Sequence, residues 1–230
     1  MQKHFQHPRT LEEIMLPPGL ACERERILRF FLTRVPSEGW TESALESATI
    51  DAGYEETMAR RAFPRGVNDL VATFLSKADA AMLAGLRKCN LSAMPIRDRI
   101  KTAVKLRIEQ NSEHREAVRR LIALQSTPQY LVEALSALYK TVDSIWRAAD
   151  DKSTDFNFYT KRGLLAGIYC STSLFWLNDY STGSTETWHF LDQRISDVMN
   201  LQKVRVNIEE NLKRLEPGIA KFFQTLSPRT

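Results

Sequence analysis

Along most of this chain, apolar positions recur at spacings of three and four residues, and the breaks fall at Pro, Gly, Asn and Asp. That period is typical of amphipathic α-helices, whereas the strict alternation typical of strands is almost absent. Ile27, Leu28, Phe31 and Leu32, for example, mark one face of a helix from about residue 20 to residue 35. The pattern predicts an all-α protein.

Short helices come first and longer ones follow. Thr41 is positioned to cap a second helix, and Gly53 to turn the chain into a third, which ends at "PRG" before a fourth. From Ile96 onward the helical runs are longer, and Pro128 fits the first turn of one of them. We expect a flexible N-terminal segment over residues 1–18, a helical head over 19–90, a larger helical bundle over 91–205, and a C-terminal amphipathic helix with a tail over 206–230.

Composition and charge narrow the class of protein. Of the 230 residues, 43% are hydrophobic, and a net charge of +4 is too mild for a dedicated nucleic-acid-binding protein. Cys22, Cys89 and Cys170 are widely spaced, so neither a disulfide framework nor a cysteine metal site is expected. The start has no apolar leader and carries acidic residues, and the most apolar stretch, residues 163–177, is shorter than the about twenty residues that span a bilayer. We therefore expect a cytoplasmic protein.

The titratable residues form no catalytic motif. Only His189, among four histidines, lies in an E-x-x-H arrangement, with Glu186, and a di-iron bundle needs two such motifs and two further carboxylates. The P-loop, G-x-S-x-G, H-E-x-x-H and Rossmann glycine patterns do not occur in the sequence. We expect a protein that is not an enzyme and has no catalytic residues and no metal.

The stretch "NLKRLEPGIAKFFQTL" near the C-terminus is amphipathic, with Lys213, Arg214 and Lys221 off its apolar stripe. Such a helix can lie in a bilayer interface, where anionic headgroups attract its cations, or it can dock on the protein's own bundle. The candidate membrane-binding residues are Ile219, Phe222, Phe223 and Leu226.

The stretch "AGYEETMARRAFPRGVNDLV" resembles the helix-turn-helix of tetracycline-repressor-like regulators, in which a Gly turn opens the recognition helix. This resemblance implies an all-α, tetracycline-repressor-like fold with a helix-turn-helix head and a ligand-binding and dimerisation bundle. A DNA-reading helix needs cations at its start, but this one begins with Glu55 and Glu56, and Arg60 and Arg61 come late. We expect a retained scaffold and no nucleic-acid partner, with an active DNA-binding head as the alternative.

In proteins of that fold, the last two long helices form a dimer interface. Gly163, Gly167 and Ser171 recur every four residues here, and such spacing lets two helices approach closely. We expect these residues and Trp188 to form a homodimer interface, with packing inside one chain as the alternative. The fold often also encloses an apolar cavity, and the alternative is a filled core. The candidate lipid-binding residues are Trp146, Phe156, Leu164, Ile168, Tyr169, Phe175 and Trp176.

Residues 142–200 resemble a narrower family, the ninth Coq proteins, which are lipid-binding accessory factors of ubiquinone biosynthesis. The match rests on "DKSTDFNFYTKR", on "IY" followed by Ser or Thr, and on "TWHFLDQRISDVM". The resemblance implies a homodimer that binds an isoprenoid ubiquinone precursor and contacts the demethoxyubiquinone hydroxylase. The partner-binding residues that the resemblance implies are Asp143, Ile145, Phe158 and Tyr159, although this family usually has Trp where this chain has Phe158. We add Lys161 and Arg162 as candidates, because charges beside aromatic side chains can set the orientation of docking.

The expected function is therefore presentation of a quinone precursor to the hydroxylase at a membrane surface, without a cofactor, although an isoprenoid quinone or a phospholipid is a possible bound ligand. The expected location is the cytoplasmic side of a bacterial inner membrane, with peripheral attachment. A ligand-responsive transcriptional repressor is the alternative, in which the same pocket senses a lipid and the dimer spaces two recognition helices.

Overall fold

The computed structural model describes residues 19–150 and 156–199, with the side chains of all but residues 156–159. Within these ranges the chain is helical and has no strand, which confirms the all-α prediction. Its helices are α1 (Ala21–Glu38), α2 (Glu42–Asp51), α3 (Thr57–Ala62), α4 (Val67–Arg87), α5 (Ile96–Glu109), α6 (Arg115–Gln125), α7 (Leu131–Ala148), α8 (Phe156–Leu177) and α9 over residues 185–199. Single 3-10 turns occur at Leu91–Ala93, Ser112–His114 and Thr182–Ser184.

The chain divides into two compact units. The described residues of the first unit are 19–82 and 110–137, and those of the second are 83–109, 138–150 and 156–199. The first unit therefore contains α1, α2, α3 and α6, and the second contains α5, α8 and α9.

Trp40 ties the helices of the first unit together. It lies just after α1 and is 6% exposed, and its Nε1 donates a hydrogen bond to the backbone oxygen of Ala117 in α6 at 3.0 Å. Its ring lies 5.2 Å from that of Phe31 in α1 and 5.5 Å from that of Phe74 in α4. Helices α1, α4 and α6 thus all contact Trp40, which belongs to the apolar core of this unit.

The helix-turn-helix segment contains a helix cap and a glycine turn that the sequence predicts. Thr41 caps the N-terminus of α2, as predicted, because its Oγ1 accepts a hydrogen bond from Ala44 N at 3.2 Å. Gly53 has φ of +82° after the end of α2, where Tyr54 N donates to Thr49 O at 3.2 Å, which is the Schellman arrangement that favours glycine. The turn before α4 depends on Gly66, which leaves room for the Glu42 carboxylate to accept from Val67 N at 2.9 Å.

In the second unit, α5 and α9 run antiparallel. Three contacts repeat every four residues up α5 and down α9, which is the spacing of facing helix turns. They are Arg97 with Ser196 at 2.8 Å, Lys101 with Asp192 at 2.6 Å, and the Lys105 ammonium 5.1 Å from the ring centre of Trp188. The end of α7 joins α5 through Arg99, which donates to the backbone oxygen of Ala149 at 3.0 Å.

One helix boundary differs from the prediction. Pro128 does not open α7, which begins three residues later at Leu131. The intervening residues form a turn, because Thr127 Oγ1 donates back to Leu124 O at 2.7 Å and Tyr130 N donates to Thr127 O at 3.1 Å. These bonds complete the end of α6, and α7 therefore begins almost one helical turn after Pro128.

Candidate functional site

The last turns of α7 and the first turns of α8 meet at a buried ion pair. Arg162 is 5% exposed, and its Nε and Nη2 lie 2.8 and 2.7 Å from Oδ1 of Asp143. The second oxygen of Asp143 accepts from Nε of Arg147 at 2.6 Å. The Arg147 side chain is 71% exposed and the Arg162 side chain 6%, so the carboxylate pairs with one enclosed and one solvated guanidinium.

Helix geometry explains why these groups meet. Asp143 and Arg147 are four residues apart on α7, so they share a helix face. On the neighbouring turn, Trp146 Nε1 donates to the backbone oxygen of Lys161 at 3.2 Å, and the Lys161 ammonium lies 5.6 Å from the Trp146 ring centre. We call Asp143, Trp146, Lys161 and Arg162 the α7–α8 clasp. The clasp orients the first turns of α8 through a charge pair and an aromatic contact.

The clasp contains several of the predicted partner-binding residues. Asp143 and Ile145 are 9% and 0% exposed, and Arg162 is also buried, so the chain itself encloses them. Asp143 and Arg162 join α7 to α8, and direct contact of any of these residues with a partner stays a prediction. Phe158 and Tyr159 belong to α8, but their side chains lie outside the described residues.

Helix α8 presents a small-residue face. Gly163 and Gly167 are exposed, and a Cβ added at either would meet no atom within 4 Å. Ser171 follows on the same face and donates back to Gly167 O at 2.7 Å, and Leu174 beyond it is 50% exposed. The fourth predicted interface residue, Trp188, lies on α9 and is half-buried, with Nε1 donating to Gly183 O at 2.9 Å. The α8 face is open on this chain, and its use as a dimer interface stays a prediction.

The opposite face of α8 is buried and mainly apolar. It contains Leu165, Ile168, Thr172 and Trp176, which are between 0% and 7% exposed and spaced by three or four residues. The candidate lipid-binding residues Ile168 and Trp176 therefore share one face.

The other candidate lipid-binding residues are distributed differently. Trp146 is buried in the clasp, Leu164 and Tyr169 are half-buried, and Phe175 is 37% exposed, with its ring stacked 4.5 Å from that of Phe190. The side chain of Phe156 lies outside the described residues. Lipid contact by this set stays a prediction.

Asp179 organises the turn between α8 and α9, a role that the sequence analysis missed. It is 6% exposed, and it accepts from Ser181 N at 2.8 Å, from Thr187 N at 2.9 Å and from Thr187 Oγ1 at 2.5 Å. Burial alone would raise the pKa of Asp179, but the hydrogen bonds from Ser181 and Thr187 outweigh it and hold that pKa far below its usual range. An Asp two residues before a Ser, just ahead of a helix, was the available sequence signal.

The E-x-x-H pair lies on the surface. Glu186 and His189 are exposed, and His189 Nε2 lies 2.9 Å from Nε2 of Gln193. In the part of the chain that the structure describes, no three His, Cys, Asp or Glu side chains are grouped so that they could hold a metal ion. The three cysteines are free thiols.

The head and the C-terminal segment carry the remaining predicted features. Glu55 and Glu56 are exposed before α3, and Arg60 and Arg61 are exposed in its last turn. Ile219, Phe222, Phe223 and Leu226 lie outside the described residues. Among the described helices, none has both the length and the apolar character to cross a membrane.

Comparison with known proteins finds a matching family model and similar proteins in other organisms. The COQ9 family model matches residues 131–202, which include α7, α8 and α9. The chain is 31% identical to the ubiquinone biosynthesis protein COQ9, mitochondrial, of Rattus norvegicus, over 90% of this chain and 68% of that protein. It is also 31% identical to the probable ubiquinone biosynthesis protein coq9, mitochondrial, of Dictyostelium discoideum, over 81% of this chain and 63% of that protein.

A solved structure supports the fold. A TetR transcriptional regulator from Nitrosomonas europaea superposes with a TM-score of 0.64 at 20% identity, over 75% of this chain and 95% of that one. This likeness confirms the predicted tetracycline-repressor-like fold. At 20% identity it supports a conclusion about the fold and none about function.

Proposed function

This chain belongs to the COQ9 family, and we propose that it acts in ubiquinone biosynthesis as a non-enzymatic lipid-binding protein that presents an isoprenoid quinone precursor to the demethoxyubiquinone hydroxylase. The observation that carries the proposal is the family match over residues 131–202, because this segment contains both the α7–α8 clasp and the buried apolar face of α8. A lipid-contact surface and a partner-contact surface would then lie on consecutive helices.

The physical need for such a protein follows from the substrate. A polyprenyl tail is apolar, and moving it from a bilayer into water exposes a large apolar area. The free-energy cost of that exposure is about 25 cal/mol per Å². A protein interior lined by side chains such as Ile168, Trp176 and Leu165 replaces the lipid environment. The protein lowers the barrier to extraction, and the hydroxylase performs the chemistry.

The clasp supports the proposed docking surface. Aromatic side chains bury a large area on a partner, and neighbouring charges favour one orientation of docking. Phe158 and Tyr159 lie in the first turn of α8, shortly before the clasp residues Lys161 and Arg162. Because Arg162 is paired with Asp143 inside the chain, it contributes by fixing the helix, and the half-buried Lys161 is the more accessible cation.

The proposed assembly is a homodimer at the membrane surface. Gly163 and Gly167 leave an open strip along α8, along which a second copy of the helix can approach closely. The amphipathic C-terminal segment with Phe222 and Phe223 is the proposed membrane contact.

Lipid extraction tests the proposed binding. The full-length protein is purified from a quinone-producing host, and native mass spectrometry is followed by identification of the extracted lipids. We expect a dimer that carries an isoprenoid quinone or precursor, with more moles of it per mole of protein than of the common membrane phospholipids. An empty protein that binds a DNA duplex specifically, with salt-dependent affinity, would contradict the proposal and favour a ligand-responsive repressor.

A further inference from the structure

Two neighbouring buried hydroxyls on α8 have no hydrogen-bond partner among the described residues. Thr172 is 0% exposed, and its Oγ1 finds no hydrogen-bond partner among the described residues. The hydroxyl of Ser173, which is 8% exposed, is in the same state. Burying a hydroxyl without a partner is unfavourable, since it loses its bonds to water and gains none.

Several other helical hydroxyls among the described residues avoid this cost by bonding to their own backbone. Thr49, also 0% exposed, donates to Leu45 O at 2.8 Å. For Thr172 the equivalent acceptor is Ile168 O, which already receives Ser171 Oγ at 3.1 Å. The local backbone thus does not satisfy Thr172 as it satisfies Thr49.

The position of Thr172 gives this hydroxyl a chemical setting. It is four residues from both Ile168 and Trp176 and seven from Leu165, on the face of α8 opposite Gly163 and Gly167. A valine has the same β-branched shape and would fill this place without a polar atom. Thr172, next to Ser173, therefore adds a donor to a mainly apolar surface, and a few polar groups on an apolar lining are the usual composition of a site that orients a mainly apolar ligand.

We propose that the Thr172 hydroxyl donates a hydrogen bond to a ring oxygen of the bound quinone precursor, either a quinone carbonyl or a phenolic oxygen. The assignment rests on the proposed function and deepens it, because it makes this face of α8 a site for an oxygen-bearing ring as well as for an apolar tail. It gives the protein a means to prefer a quinone over a plain hydrocarbon or an acyl chain.

The test compares two probes that share a tail and differ in ring oxygens. They are a ubiquinone analogue with a decyl tail and decylbenzene, and each is titrated against the full-length protein by displacement of a fluorescent lipid. Thr172→Val removes the donor, and Thr172→Ser keeps it. Thr49→Val is the matched control, because it removes an equally buried hydroxyl that is already satisfied.

Thr172→Val is expected to weaken binding of the quinone about tenfold, by the net strength of one hydrogen bond, with binding of decylbenzene unchanged. Thr172→Ser should keep the preference for the quinone, and Thr49→Val should lower the melting temperature without changing that preference. Without ligand, Thr172→Val should melt no earlier than the parent protein, since it removes an unsatisfied group.

Two results would overturn the assignment, and they are distinguishable. If Thr172→Val binds both probes as the parent protein does, the hydroxyl does not contact the ring, while lipid binding itself stands. If the parent protein binds neither probe, the proposed function fails together with the assignment.

Discussion

Substitution of Asp143 provides the sharpest test of the α7–α8 clasp. Asp143→Asn keeps the shape of the side chain but leaves the buried guanidinium of Arg162 without its carboxylate. The Asp143 and Arg162 side chains are 12% and 6% exposed, so the pair belongs to the buried class, for which removing one partner costs about 3–5 kcal/mol. We expect a loss near the lower end of that range in the free energy of unfolding.

The same carboxylate supplies an internal control. Arg147 also contacts Asp143, at 2.6 Å, but its side chain is 71% exposed, and exposed pairs contribute about 0.2–1 kcal/mol. Arg147→Ala should therefore have a small effect, although both arginines lie within hydrogen-bond distance. Burial, rather than distance, decides the difference.

Urea unfolding followed by far-ultraviolet circular dichroism measures both effects, because the described fold is helical. The double variant Asp143→Asn with Arg162→Met completes the cycle, and it should be more stable than the sum of the single losses by at least about 1 kcal/mol. If Arg147→Ala costs as much as Asp143→Asn, or if the double variant is additive, the clasp does not depend on a buried pair.

The cycle also shows whether Asp143 affects hydroxylase binding by holding α8 in place or by contacting the hydroxylase directly. If Asp143 acts by holding α8, then binding of the hydroxylase should recover in the double variant as stability recovers. Loss of binding in a double variant with recovered stability would instead indicate that Asp143 touches the partner directly.

Two further substitutions test the open face and the interhelical turn. Gly167→Leu should give a folded monomer by sedimentation equilibrium, because its Cβ meets nothing within 4 Å on this chain and helix propensity improves by about 1 kcal/mol; a stable dimer would refute the interface. Asp179→Asn should cost about 1.5–3 kcal/mol at neutral pH, since charged hydrogen bonds to Thr187 are lost. Because the folded-state pKa of Asp179 is lowered, this stabilisation is fully present above the unfolded-state pKa of about 3.9 and disappears as pH falls through the folded-state pKa. The free energies of unfolding of the parent protein and the variant should therefore become equal in acid. A difference in denaturation midpoints that stays constant with pH would contradict this origin.

Local signals in the sequence were sufficient for much of the fold. The spacing of apolar residues predicted helices, Thr41 predicted a cap, and Gly53 predicted a turn, because each depends on residues within a few positions. The glycine spacing on α8 likewise predicted a small-residue face, since helix periodicity alone determines which side chains share a face.

The details of the site depend on contacts that the sequence does not order. Asp143 and Arg162 are 19 positions apart, and no helical period links them, so their pairing depends on how α7 and α8 pack. The unsatisfied state of Thr172 also has no sequence signal, because the same residue type in Thr49 bonds to its own helix. The family resemblance implied that Asp143 and Ile145 contact a partner, and in the structure both are buried by the chain itself.

Delivery of substrate to the hydroxylase is the most direct test of the central claim. The hydroxylase from the same organism is assayed on vesicles that contain its demethoxy substrate, with increasing amounts of this protein and with the hydroxylase held constant. The account predicts that turnover rises until the protein matches the hydroxylase in stoichiometry, as expected when bound substrate is presented in a complex. Turnover that stays the same over that range, although the protein carries the substrate, would contradict the presentation role.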